Sequence, residues 1–217
     1  YSVASAEQKY GPREFADSDK WTAIVAAYEP EITAIDGAFD KSESAKIDET
    51  IIIKGVKYQL GTYKGQRVII FTTGISVVNA AMTIQMALDY FPIETVVMMG
   101  IAGAVNPIFE PGDIAIPERW YYHDESVYVN PDPQNEGAYV LPGYYEAASN
   151  RHKERAKIDA NAPKYKNFGY QFPREVAIVK EGIASPQKMP YFTVSDNLLA
   201  LAKKALMNVD TIKMPSG

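Results

Sequence analysis

Residues 67–104 read RVIIFTTGISVVNAAMTIQMALDYFPIETVVMMGIAGA, and this stretch decides the fold class. Arg67-Val68-Ile69-Ile70-Phe71 is an apolar run of strand length, closed by Thr72-Thr73-Gly74-Ile75-Ser76. Val77, Ala80, Ala81, Ile84 and Leu88 then recur at three- and four-residue spacing, which predicts a helix with one buried face. Ser76 stands where an N-cap belongs, and Pro92 lies just past the helix end. Thr95-Val96-Val97-Met98-Met99 is a second apolar strand, and it runs into Gly100-Ile101-Ala102-Gly103-Ala104. Strand, helix and strand in that order, with unbroken apolar strands, predict an α/β domain whose largely parallel or mixed sheet is covered on both faces.

The same grammar extends upstream. Residues 21–28, WTAIVAAY, read as a buried strand, and Glu29-Pro30-Glu31 opens a helix to about Ala38. Ile51-Ile52-Ile53, Lys57-Tyr58-Gln59-Leu60 and residues 67–71 are strand-like. Glycines at 55, 61 and 65 punctuate them as a meander of hairpins. Downstream, Glu110-Pro111-Gly112-Asp113 is a turn, with Asp113 capping it, and Ile114-Ala115-Ile116 is a strand. Residues 130–173 are rich in Pro, Asn, Gly and Tyr and read as an inserted surface excursion. It holds a helix candidate at 144–158 and a basic stretch, 151–166, that forms a solvated helix face. Residues 176–179 return to strand, and 196–207 form an amphipathic helix on Leu198, Leu199, Ala202 and Leu206. The expected organisation is an extended arm, 1–20, and one domain, 21–217.

Composition narrows the chemistry. The chain of 217 residues carries a net charge of −5, which disfavours nucleic acid as a partner. It has no cysteine, which removes disulfides, thiolate metal sites and cysteine nucleophiles, and two histidines do not make a multi-histidine metal centre. No metal and no cofactor is expected. No apolar run reaches the roughly 18–20 residues of a membrane span. Ala4-Ser5-Ala6 has the small-x-small form of an export cleavage site, so an exported mature protein, periplasmic or secreted, is the expectation.

Open α/β sheets bind ligands beyond the carboxyl ends of their strands. Three such ends are legible: Ala27-Tyr28-Glu29-Pro30-Glu31, Thr73-Gly74-Ile75-Ser76 and Gly100-Ile101-Ala102-Gly103. Small residues at the last two admit a ligand close to the backbone. These patterns point to a small-molecule site near Glu29 or Glu31 and do not choose between the two. Neither Gly-x-Gly-x-x-Gly nor a Walker lysine loop occurs, so a dinucleotide site is disfavoured.

In order along the chain these segments resemble the nucleoside phosphorylase/nucleosidase superfamily, most nearly the methylthioadenosine/S-adenosylhomocysteine nucleosidases. Residues 26–32, AAYEPEI, resemble the family's first strand-loop-helix, and Thr73-Gly74-Ile75-Ser76 its Ser/Thr-Gly-Ile-Gly helix start. Gly100-Ile101-Ala102-Gly103 resembles its Gly-x-Ala-Gly loop, Pro111-Gly112-Asp113-Ile114 its Val-Gly-Asp-Ile turn, and Tyr122-His123-Asp124 its Tyr-His-Asp. The resemblance covers about residues 21–129.

It implies a three-layer α/β/α fold on a twisted mixed sheet, assembled as a homodimer or higher oligomer. It further implies cleavage of the N-glycosidic bond of a purine nucleoside, adenine-type, with a 5′-substituent admissible. Glu31 matches the family's water-positioning glutamate. Tyr28, Thr73, Ile75, Ile101, Ala102 and Gly103 match pocket positions, and Val127 a position beside the subunit contact. His123 takes a structural role. Trp120-Tyr121-Tyr122 is an interface candidate if exposed and core if not. The phosphorylases carry an arginine before the glycine loop and a serine within it. Val96-Val97-Met98-Met99 and Gly100-Ile101-Ala102 supply neither, so water is the better acceptor than phosphate.

The family's ribose-binding Met-Glu motif and catalytic Ser-Asp segment have no match here. Ser195-Asp196 shares the letters but opens a helix, where Asp is common. The expectation is therefore a chain lacking the C-terminal part of its fold. Two alternatives accompany hydrolysis: a non-catalytic purine- or nucleoside-binding, storage-like relative, and a nucleoside phosphorylase.

Overall fold

The computed structural model describes residues 19–104, 106–122, 125–136, 139–140, 171–173, 176–178, 185, 187–189 and 191–207. The arm before residue 19, His123, Asp124, the helix candidate at 144–158 and the basic stretch 151–166 lie outside the described residues. Two compact units part between Pro107 and Ile108.

The first unit is built on five strands and two helices: β1 (Trp21–Ala26), α1 (Glu29–Asp40), β2 (Ala45–Ile53), β3 (Val56–Tyr63), β4 (Gln66–Thr72), α2 (Val77–Tyr90) and β5 (Ile93–Met98). The sheet order is β2-β3-β4-β1-β5. β4, β1 and β5 run parallel, while β2, β3 and β4 form an antiparallel meander, so the sheet is mixed. Both hairpins turn on a Lys-Gly pair, Lys54-Gly55 and Lys64-Gly65, with all four residues at positive φ. That is the two-residue turn whose twist matches the flanking strands.

Alternation along the strands separates two cores. Ala23, Val25, Ile69 and Phe71 point to one face and join Ala87 of α2 and Phe91. Ala26 and Ile70, on the opposite face, join Ile32 and Ile35 of α1. One helix per face gives the expected three layers. The apolar run of β4 is buried throughout, Val68 to Phe71, as a strand flanked on both edges should be.

Four expectations are corrected. Gly61 does not punctuate: β3 runs through it, opposite a register shift in β2 between Ile47 and Glu49. The buried face of α2 is Thr83 and Ala87, with Ile84 partly covered, while Val77 and Leu88 are exposed. In a helix this apolar, two stripes obey the same spacing, and the packed one contains a threonine. Among the described residues only β1 pairs with β5, and Val96, Val97 and Met98 are 40–54% exposed. Ile114-Ala115-Ile116 forms no strand, and both isoleucines are exposed.

Tyr58 sits in the α2-side core between Phe71 and Phe91, with ring centroids 5.0 and 5.1 Å away. Its hydroxyl is buried and has no hydrogen-bond partner among the described residues. Burial, aided by the charge of Tyr90, pushes its pKa up from 10.0 to about 12. The folded state thus holds the neutral phenol. The associated stability is intact below pH 10 and is lost as pH rises from there through about 12. Tyr58→Phe should gain about 1 kcal/mol at pH 7, since a buried unpaired hydroxyl costs that order of free energy. It should also soften the alkaline decline. Thermal melts at pH 7 and in the alkaline range check this, and a lower melting temperature for the variant at pH 7 would refute it.

Among the described residues, the second unit holds short antiparallel ladders and one helix. β6 (Arg119–Trp120) pairs with β13 (Phe192–Thr193), and β7 (Ser126–Tyr128) with β10 (Gln171–Pro173). β8 (Asn130–Pro131) pairs with β9 (Tyr139–Val140), and β11 (Val176–Ile178) with β12 (Gln187–Met189). α3 (Asp196–Leu206) begins directly after Ser195 and buries Leu199. The turn at 110–113 closes as expected: Asp113 N–H donates to the Glu110 carbonyl, and the Asp113 carboxylate accepts from Glu110 N–H at 2.9 Å. Trp120, Tyr121 and Tyr122 are about half exposed, which decides against a core role. Among the described residues no helix is long and apolar enough to cross a membrane.

Candidate functional site

Because β4, β1 and β5 are parallel, their carboxyl ends lie at one end of the sheet, and the three predicted loops meet there. Glu31 ties two of them together. It is the third residue of α1, whose N-cap is Tyr28 in extended conformation. One carboxylate oxygen, Oε2, accepts the N–H of Ala27, the residue before the N-cap, at 2.8 Å. The other, Oε1, accepts the Ile101 N–H at 2.8 Å, from a loop seventy residues later. Glu29 is exposed on the first turn and belongs to neither contact. Of the two glutamates, Glu31 is the one that joins the two loops.

A cavity of about 410 Å³ lies beside this carboxylate. Tyr28, Glu31, Gly100 and Ile101 line it from the loops, and Ile24, Ile35 and Phe39 add apolar lining. Convergence of one fixed carboxylate and an aromatic residue on an apolar hollow is the usual form of a small-molecule site. Ile101 gives the carboxylate only its backbone N–H, and its side chain is 80% exposed.

The remaining predicted residues divide. Thr73 is buried, and its hydroxyl lies within reach of the Ala26 and Gly74 carbonyls at 3.2 and 3.1 Å, which locks the ends of β4 and β1 together. Ile75 is exposed at the next loop and, like Ala102 and Gly103, does not line the cavity. Val127 is buried in β7 of the second unit, opposite Phe172 in the ladder. The residue that pattern reading missed is Gly100, whose bare α-carbon faces the Glu31 carboxylate. Its only signal was membership of a glycine-containing loop.

Ser76 occupies the N-cap position of α2, but its side chain makes no capping bond. Its backbone lies at φ 89, ψ 155, a region nearly reserved for glycine. The local bond comes instead from Asn79, whose side-chain amide donates to the Ile75 carbonyl at 2.7 Å. Ser76→Gly should therefore stabilise the first unit by about 1 kcal/mol, the relieved strain exceeding the entropy that glycine costs. Urea unfolding measures it, and a loss of stability would count against the strain.

The family model described as "Phosphorylase superfamily" matches residues 22–217. Over 107 residues the chain is 29% identical to a 5′-methylthioadenosine/S-adenosylhomocysteine nucleosidase of Lysinibacillus sphaericus, covering 49% of this chain and 44% of that protein. The matched stretch thus spans less than half the length of that relative. Among solved structures, the chain is similar to the S-adenosylhomocysteine nucleosidase of Streptococcus pyogenes in complex with 5-methylthiotubericidin (TM-score 0.53, 17% identity, 88% of this chain and 58% of that one). It is equally similar to a futalosine hydrolase mutant of Helicobacter pylori (TM-score 0.53, 16% identity, 89% and 63%). At these identities the likeness is one of fold.

Proposed function

The chain belongs to the phosphorylase superfamily, and from that membership we propose that it hydrolyses the N-glycosidic bond of a purine nucleoside, with Glu31 positioning the water. One observation carries the proposal: a carboxylate fixed by two backbone N–H groups at the end of three parallel strands, facing an apolar cavity. In the reaction the bond from the sugar's anomeric carbon to the purine nitrogen breaks, and the electron pair leaves with the base. The sugar becomes cationic, and the water oxygen bonds to the anomeric carbon. Glu31 serves both events, since its negative charge steadies the sugar cation and a free lone pair accepts a proton from the water. The departing purine takes a proton from solvent as it leaves, and Glu31 releases the proton it took from the water back to solvent. Ser195-Asp196 opens α3 in the second unit and is not assigned a part in that proton transfer.

Water rather than phosphate is the acceptor in this reading, because residues 96–103 hold no cation and no hydroxyl to receive a phosphate dianion. The names of the similar proteins suggest the first substrates to try: 5′-methylthioadenosine, S-adenosylhomocysteine and futalosine. Release of free base from one of them in phosphate-free buffer is the expected result. Release that requires phosphate would convert the assignment to a phosphorylase.

A second reading, a binding protein without turnover, has one observation in its favour. Ile101 places an exposed aliphatic side chain next to Glu31, where it offers water no polar side-chain partner. Adenine binding by calorimetry without release of base from any of the three substrates would support that second reading.

A further inference from the structure

We propose that Glu31 and Gly100 form a clasp in which the carboxylate fills the space a side chain at 100 would need, and so fixes the course of the loop after β5. The inference deepens the site described above. It rests on the assignment of that site, but its own evidence is steric. A β-carbon added at Gly100 would lie 2.6 Å from Glu31 Oε1, 2.9 Å from Cδ and 3.0 Å from Oε2. All three are atoms of one carboxylate at the end of a side chain, so an added carbon would push that group off its two N–H partners rather than meet backbone. Gly100 has no φ in the range that demands glycine, whereas Gly74 and Gly112 do. The requirement at 100 is thus set by Glu31 rather than by the backbone.

The carboxylate is itself pinned. Ala27 N–H holds one oxygen at the end of β1, and Ile101 N–H holds the other at the end of β5. Met99 N–H also donates to the Val25 carbonyl at 2.9 Å, so the chain is tethered on both sides of Gly100. The three contacts leave the loop one path across the end of β1. That path carries Ile101 into the cavity wall. Gly100 is in this sense a positioning residue acting through Glu31.

A double-mutant cycle tests the clasp without any turnover. Gly100→Ala should lower the melting temperature by several degrees and raise the exchange rate of the Ile101 amide at least tenfold. Glu31→Ala should raise that exchange rate too, because the acceptor is gone. In the Glu31→Ala background, adding Gly100→Ala should leave the melting temperature unchanged. Equal loss from Gly100→Ala in both backgrounds would overturn the clasp, as would unchanged Ile101 exchange in Glu31→Ala. Adenine affinity of the same proteins, read by calorimetry, separates this inference from the proposed function. A tenfold weakening in Gly100→Ala, with the cycle as expected, supports clasp and site together. Unchanged affinity with the cycle as expected supports the clasp and removes the loop from the purine pocket.

Discussion

Gly61→Ala should be the most damaging single-methyl substitution in the first unit, costing about 3 kcal/mol, near the upper end for overpacking. The position lies inside β3, paired across the ladder with Ile47. A β-carbon there would collide with the Lys46 carbonyl oxygen and lie 3.0 Å from both the Lys46 carbonyl carbon and the Ile47 α-carbon. These are backbone atoms of the neighbouring strand, so no rotamer change relieves the contact. The irregularity in β2 between Ile47 and Glu49 brings that backbone close, and a strand glycine marks such an approach. Relief would mean separating the ladder on which Ile51, Ile53, Tyr58 and Leu60 bring their side chains into the core. Gly37→Ala is the control of opposite sign. Gly37 lies within α1 with nothing within 4 Å of an added β-carbon, so alanine there should gain about 0.5–1 kcal/mol. Urea unfolding of both variants measures the pair. Equal and small effects would refute the steric account of the bulge.

Gly61 also shows where sequence legibility ends. As a letter in a meander it has the same weight as Gly55 and Gly65, which do sit at hairpin turns. What separates it is the neighbouring strand's backbone, which no local pattern encodes. Features carried by one segment were readable: the buried run of β4, the helix after Ser76, the mixed sheet and the Asp113 turn. Features set by a partner element were not. α2 has two apolar stripes, and the sheet selects the one through Thr83 and Ala87. β5 has the letters of a central strand, yet among the described residues it pairs with β1 alone. In the site, Tyr28, Glu31 and Ile101 were legible as following the carboxyl ends of β1 and β5, and all three line one cavity. The bond from Ile101 N–H to Glu31 spans seventy residues, and with it the reason for Gly100, so neither could be read from spacing.

Glu31→Gln should reduce the release of base by about 10²–10⁴-fold, the range over which a positioned general base acts. Glutamine keeps the length and nearly the volume, but it replaces one acceptor oxygen with an N–H₂ donor. Both native partners, the Ala27 and Ile101 N–H groups, are donors, so the amide can satisfy only one of them. Turning its oxygen to Ala27 sets donor against donor at Ile101 and loosens the loop, while the reverse loosens the start of α1. Either way the negative charge that would face a cationic sugar is gone. A group that acts mainly on the transition state lowers kcat and leaves KM little changed, whereas one that only shapes the pocket raises KM. Glu31→Asp separates geometry from charge. It keeps the charge but is one methylene too short to bridge 2.8 Å contacts on both sides without moving α1. If charge dominates, Asp should retain more activity than Gln, with a raised KM reporting the loosened loop. If Gln instead outperforms Asp with kcat near the native value, Glu31 is a structural tie and the water is held by another group.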